Sequence, residues 1–323
     1  MVLRIDKVSK RYGSVWALRD VSFDIGTGKI VGIFGGSGSG KSTVLKAIAG
    51  TITTDGGNVY LNSRDISNNK PQDRGINTLS GNDVEHHHGL FRRTSPDGAS
   101  GDQQIGSFRK MIADHGSLLM FDEPFSQMDR VMRENCFGEL RRVLGDLQNP
   151  VLFASRDFEQ IACVCDEVVF LSRGEIVQTG TPQDIYDEPE TVEAATLTGE
   201  TNLIDARRLT SSDAQLPEYY TIKGGHRIFG QPLEKRRLMP IDQDITLAIR
   251  PEQISMSLGA SFPEDNLVKG VLTAIKFLGS TSLIEFDASG LKLTTRVFQV
   301  VGLNIGDECM LGLPPHWMRI LIG

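Results

Sequence analysis

Gly35-Gly36-Ser37-Gly38-Ser39-Gly40-Lys41-Ser42-Thr43 decides how this chain is read. The stretch fits G-x-x-x-x-G-K-[ST], the pattern of a loop that cradles phosphate groups. Its setting agrees with that reading. An apolar, strand-like run, Ile30-Val31-Gly32-Ile33-Phe34, leads in, and a helix-like run, Thr43-Val44-Leu45-Lys46-Ala47-Ile48-Ala49, leads out. The glycines let the backbone wrap a polyanion with its N–H groups turned inward. The following helix adds about half a positive charge at its N-terminus. Lys41 supplies a full charge for β- and γ-phosphates, and the Ser42 hydroxyl suits Mg²⁺. A flexible Gly/Ser linker would share the composition but not the framing strand and helix.

Alternating elements surround the loop. Val2–Val8 and Val21–Ile25 read as strands, with Tyr12-Gly13 between them, and Asn58–Leu61 and Gly75–Leu79 read as further strands. Residues 80–103 are rich in Gly, Ser, Asn, Asp and His without periodicity, and read as loop or a poorly formed element. From Leu118 the rhythm returns: strand Leu118–Phe121, helix Arg130–Leu147, strand Val151–Ala154, helix Phe158–Val164, strand Glu167–Leu171. Strands alternating with helices predict an α/β domain with a mostly parallel sheet covered on both faces. Near residue 200 the pattern changes. Ile245–Ile249, Val268–Phe277, Thr281–Phe286, Leu291–Val297 and Cys309–Leu313 are short strands parted by turn signals such as Gly279-Ser280. They predict a small all-β barrel or sandwich. The expected division is 1–199 and 200–323.

Composition excludes several classes. The 323 residues carry a net charge of −7, so there is no basic footprint for nucleic acid. No apolar run approaches the ~18 residues of a membrane span, and the N-terminal residues lack the apolar core of a signal peptide. The four cysteines, Cys136, Cys163, Cys165 and Cys309, are too few and scattered for a disulfide scaffold. They read as reduced thiols of a cytosolic protein.

A second motif is Leu118-Leu119-Met120-Phe121-Asp122-Glu123-Pro124, an apolar strand ending on two carboxylates. Asp122 is placed to hold Mg²⁺, directly or through water. Glu123 is suited to orient or deprotonate an attacking water. Positioning and charge neutralisation are most of what phosphoryl transfer requires.

With these residues in view, the chain resembles the ATPase subunits of ATP-binding-cassette (ABC) transporters. The phosphate loop, Asp122-Glu123-Pro124 and Ser126-Gln127-Met128-Asp129 look like that family's Walker A, Walker B and D-loop. Gly180-Thr181-Pro182-Gln183-Asp184-Ile185-Tyr186-Asp187-Glu188-Pro189 and Leu247-Ala248-Ile249-Arg250-Pro251-Glu252 look like importers of the maltose, spermidine, sulfate and ferric-iron kind. The resemblance implies a P-loop NTPase domain followed by an OB-like (TOBE) regulatory domain. It implies ATP and Mg²⁺, with Tyr12 stacked on adenine. It implies a membrane permease as partner, a dimer of like or paralogous subunits, and a peripheral place on the cytoplasmic side of the inner (plasma) membrane.

Departures from the family pattern set up an alternative. The signature segment falls at Ala99-Ser100-Gly101-Asp102-Gln103, where Ser100 and Gly101 would face the γ-phosphate of the opposite subunit. Asp102 there would repel it by about 4 kcal/mol at ~4 Å and an effective dielectric of ~20, unless the alignment slips or Asp102 points away or is protonated. The family's switch histidine matches Arg156, a permanent cation able to clamp a γ-phosphate but not to act as neutral imidazole; the alternative is a solvated surface arginine. Gly81 stands where the Q-loop glutamine is expected. The span from Lys41 to Asp122 is several dozen residues shorter than the family's, which shrinks the helical subdomain. Within it, His86-His87-His88 read as solvated rather than metal-binding. The first expectation is therefore an ATP-hydrolysing importer subunit whose turnover these departures slow. The second is a degenerate nucleotide-binding regulatory or partner subunit. A Walker-type kinase is weaker, because nothing resembles an acceptor site.

Overall fold

Five residues that are apolar or glycine, Ile30–Phe34, are buried at every position and form the centre of the larger sheet. The computed structural model describes residues 2–80, 116–126, 128, 130–145, 148–209, 217–231, 241–259, 262 and 264–321. Two compact units divide the chain, Met1–Asp187 and Glu188–Gly323.

In the first unit the elements run β1 (Leu3–Tyr12), β2 (Val15–Ile25), β3 (Ile30–Phe34), α1 (Lys41–Ala49), β4 (Gly56–Leu61), β5 (Arg64–Asp65) and β6 (Ile76–Ser80), then β7 (Leu118–Asp122), α2 (Arg130–Gly145), β8 (Val151–Ser155), α3 (Phe158–Val164), β9 (Glu167–Ser172), β10 (Glu175–Gly180) and α4 (Pro182–Asp187). One sheet has the order β10-β9-β3-β8-β7-β6. Its strands β9, β3, β8, β7 and β6 are parallel, and β10 is an antiparallel edge. That edge hairpin has no counterpart in the expected strands. The first two strands do not join this sheet. With β4 and β5 they form a separate antiparallel sheet, β2-β1-β4-β5. Their alternating pattern had marked them as strands but not as a second layer.

Central β3 has no polar face because it is covered on both sides, as buried parallel strands are. Gly32 shows how close the cover is. A Cβ there would lie 2.9 Å from both Cys165 Sγ and Ile161 Cδ1, at the α3 side of the sheet. On the other side Val44, Leu45 and Ile48 of α1 pack with Ile33, Met120, Leu152 and Leu171. The helix α1 ends at Gly50, in the left-handed region at φ 75°. The buried guanidinium of Arg74 takes up its terminal carbonyls, donating to Ala47 O at 2.9 Å and Ile48 O at 2.7 Å. A cation there meets the negative end of the helix dipole.

The second unit begins with α5 (Val192–Thr198), capped by Thr191, whose hydroxyl accepts from Ala194 N at 3.1 Å. The strands β11 (Asn202–Arg208), β12 (Glu218–Thr221), β13 (Arg227–Phe229), β14 (Asp244–Ile249), β15 (Ser255–Ser257), β16 (Asn266–Phe277), β17 (Ser282–Ala288), β18 (Leu291–Val297), β19 (Glu308–Leu313) and β20 (Arg319–Leu321) follow. They make two five-stranded antiparallel sheets, β13-β12-β11-β14-β20 and β15-β19-β16-β17-β18. Strict alternation of buried and exposed residues along β11 turns Ile204 and Ala206 into a core shared with Leu247, Phe286 and Leu311. The all-β expectation for this region holds.

Candidate nucleotide-binding site

Strand order brings the predicted groups to one edge. Phe34 pairs with Ser155 and Asp122 pairs with Ala154, so β3, β8 and β7 end almost level. The loop after β3, Arg156 after β8 and the carboxylates at the end of β7 therefore share the carboxyl edge of the sheet, where open α/β sheets bind ligands.

The phosphate loop is tightly wrapped. A Cβ on Gly35 would stand 2.1 Å from Leu171 O, so no other residue fits there. Gly40 caps α1 at φ 110°, and a Cβ on it would meet Ala17 O at 2.7 Å. The hairpin of β1 and β2 thus lies directly against the loop. Gly174, in the turn between β9 and β10, donates its N–H to Ser39 O at 2.9 Å. Lys41 is buried, and its ammonium donates to Gly35 O at 2.7 Å, Gly36 O at 2.9 Å and Ser39 Oγ at 3.4 Å. Burial pushes the Lys41 pKa down, against the opposing pull of Glu123. Ser37, Gly38 and Ser42 are exposed, while Gly36 and Thr43 are half-buried.

Asp122 and Glu123 differ in surroundings. Burial raises the pKa of Asp122, opposed chiefly by the Ser42 hydroxyl and then by Lys41. Its Oδ1 is buried without a hydrogen-bond partner among the described residues. An orphaned carboxylate oxygen beside a serine hydroxyl, below a polyphosphate cradle, is a donor set that fits Mg²⁺. Glu123 sits at φ 48°, in the left-handed region. Non-glycine residues there cost on the order of 1–3 kcal/mol and concentrate at functional sites. Its N–H donates to Ala154 O at 2.9 Å, and its Oε1 accepts the Arg156 N–H at 3.1 Å. Burial raises its pKa, while Lys41 and then Arg156 oppose the rise.

Arg156 is the residue whose setting sequence reasoning least foresaw. It stands between Ser155, fully buried and bonded to Gln160 Oε1 at 3.0 Å, and Asp157, the N-cap of α3. Asp157 in turn accepts from Arg133 of α2 at 3.1 Å. The main chain of Arg156 is thereby fixed, although its side chain is largely exposed. Tyr12 lies half exposed near the tip of the β1–β2 hairpin. Gly174, Gln160 and Asp157 carried no motif that would have marked them. Ser100, Gly101, Gly81, Asp102 and His86-His87-His88, with Gln127 and Asp129, lie outside the described residues.

Comparison with known proteins is consistent with this geometry. The ABC transporter family model matches residues 18–99, and the TOBE domain model matches residues 247–321. The spermidine/putrescine import ATP-binding protein PotA of Clostridioides difficile is 27% identical, across 90% of this chain and 89% of that protein. The sulfate/thiosulfate import ATP-binding protein CysA 2 of Shewanella oneidensis is 25% identical, across 100% of this chain and 99% of that one. Among solved structures, cbiO1 from Clostridium perfringens, part of the ABC transporter complex cbiONQ, matches at 17% identity and a TM-score of 0.48, over 57% of this chain and 90% of that one. The chain is thus similar to the ATP-binding subunits of ABC importers, with an ABC transporter match in its first part followed by a TOBE match near its C-terminal end.

Proposed function

We propose that this chain binds ATP with Mg²⁺ and hydrolyses it to energise an ABC-type solute importer. In this reading it is a peripheral subunit on the cytoplasmic side of the plasma membrane, docked on a membrane permease and paired with a second copy or a paralogue. Among the described residues no helix is long and apolar enough to cross a membrane. The observation that carries the reading is the convergence of Lys41, Asp122, Glu123 and Arg156 on one sheet edge around a phosphate loop.

The chain's own groups act as follows. Loop N–H groups from Gly36 to Thr43 bind the β- and γ-phosphates, and Lys41 exchanges the Gly35 and Gly36 carbonyls for phosphate oxygens. Ser42 and Asp122 would hold Mg²⁺, which would neutralise charge on the β- and γ-phosphates. Glu123, fixed by the Arg156 N–H, orients and deprotonates the attacking water. The Arg156 guanidinium supplies a permanent charge to stabilise the transition-state charge on the transferring γ-phosphoryl group and its leaving oxygen. Tyr12 stacks on adenine, and Ser100 and Gly101 of a second subunit complete the site.

The importer names of the relatives support transport coupling, and nothing in the comparisons favours the degenerate alternative. Steady-state phosphate release at saturating Mg·ATP tests the proposal. Turnover by wild type and its loss in Glu123→Gln are expected; no turnover by the purified wild-type chain would count against it.

A further inference from the structure

Stacking a base on Tyr12 requires its ring to be held at a fixed place beside the phosphate loop. The main-chain ladder between β1 and β4 ends at the Ser9–Gly56 pair. Past that point β1 continues its pairing with β2, through Arg11 with Trp16 and Tyr12 with Val15. On the β4 side, Asp55 takes over. Its N–H donates to Ser9 O at 2.8 Å, and its Oδ2 accepts the Arg11 N–H at 2.6 Å. Its Oδ1 lies 3.5 Å from Lys10 Nζ. A side-chain carboxylate thus does the work of the missing strand carbonyl, one residue short of Tyr12.

Lys10 links the carboxylate to the ring. Its side chain is only 12% exposed, and its ammonium sits 5.5 Å from the centroid of Tyr12. A cation over an aromatic face is attracted by the ring quadrupole and occupies that face. Tyr12 is itself 50% exposed, so the ring keeps open surface for a ligand. The Arg11 N–H, more than any other group, holds the Asp55 carboxyl below the usual range, so it is charged at neutral pH.

We propose that Asp55 is a positioning residue for nucleotide-base recognition, fixing the Lys10-Arg11-Tyr12 tip so that a cation backs one face of Tyr12 and the other face meets the base. The proposal rests on the ATP site argued above and adds a residue that touches neither phosphate nor base.

Titration calorimetry on the full chain with Mg·ATP and with Mg·tripolyphosphate, which has no base, separates the possibilities. Asp55→Ala should weaken ATP about fivefold, the net scale of one ordinary hydrogen bond, with tripolyphosphate affinity unchanged. Asp55→Asn keeps an acceptor for Arg11 N–H but not the charge facing Lys10, and should fall between. On a Tyr12→Ala background, Asp55→Ala should add nothing. Unchanged ATP affinity in Asp55→Ala overturns the proposal, as does an equal loss for tripolyphosphate, which would mean general loosening of the unit. If Tyr12→Ala binds ATP as wild type does, base stacking on Tyr12 falls and the proposal with it. Wild type that binds neither ligand overturns the nucleotide site itself, a result distinct from the others.

Discussion

Glu123 and Arg156 meet across the ends of neighbouring parallel strands. One carboxylate oxygen of Glu123 accepts the Arg156 N–H at 3.1 Å and lies 3.8 Å from the Arg156 Nε. The two contacts differ in kind. The main-chain bond belongs to a fixed backbone, held by Ser155, Gln160 and Asp157. The guanidinium side chain is 64% exposed, so its ion pair is screened and weak at rest. The same exposure leaves it free to turn to a phosphate.

Arg156→Ala should therefore spare the geometry of Glu123 and remove only the movable charge. kcat should fall about tenfold or more, since single cations and donors at such sites contribute at least that much. KM for ATP should move by no more than about twofold. A phosphate-release assay over a range of Mg·ATP concentrations reads both. A raised KM with unchanged kcat would mean that Arg156 serves binding in the ground state.

Glu123→Gln keeps size and hydrogen bonding but removes the base. Hydrolysis should be abolished while ATP binding stays close to wild type. If the purified variant releases phosphate as fast as wild type, Glu123 is not the group that activates water.

Lys41→Ala removes an ammonium that sits within its own loop. The lost charge-assisted contact with phosphate corresponds to about 1.5–3 kcal/mol, or roughly tenfold or more in affinity. Equal ATP binding by wild type and Lys41→Ala in calorimetry would remove the site from this loop.

The parts of the site legible in the sequence are those with a local pattern. A phosphate loop and a strand ending in Asp122-Glu123 announce themselves because the residues that make each pattern are adjacent in the chain. What stayed hidden depends on partners far apart in the chain. Gly174 closes on Ser39 and Asp55 on Arg11 only after the strands are paired, and neither carries a spacing that foretells it. The same holds for the fold. Alternation marks β1 and β2 as strands, but it does not say which sheet they enter, because that choice is made by their long-range partners. The antiparallel edge strand β10 follows β9 through the short turn Arg173-Gly174, a hairpin cue that the expected strands did not include.

Arg74→Met should destabilise the first unit. The buried guanidinium serves the Ala47 and Ile48 carbonyls of α1, and also Asn69 O at 3.0 Å and Ser67 O at 2.7 Å. Methionine fills similar space but leaves those acceptors without their donor, at a cost of about 3 kcal/mol. Denaturant melts of wild type and variant measure it, and a change under about 0.5 kcal/mol would show that water replaces the guanidinium freely.

Arg250 ties α5 to the β-rich part of the second unit. Its buried guanidinium donates to Ala195 O and to Thr198 Oγ1, each at 2.7 Å, to Gly199 O at 3.2 Å, and to the Thr201 hydroxyl. Ala195 also packs against Ala248 and Leu321 of the β-rich region. A fragment of residues 200–323 keeps the strands but deletes α5, leaving Arg250 short of partners and this apolar contact open. A fragment of residues 188–323 keeps both. Each should give a β-type circular dichroism spectrum. The longer should be more stable by about 3 kcal/mol, the scale of breaking a buried charge network. That corresponds to a melting temperature roughly 10 °C higher for a unit of this size. Equal melting of the two fragments would show that α5 is not part of the folded unit. A disordered spectrum from both would show that the β region does not fold alone.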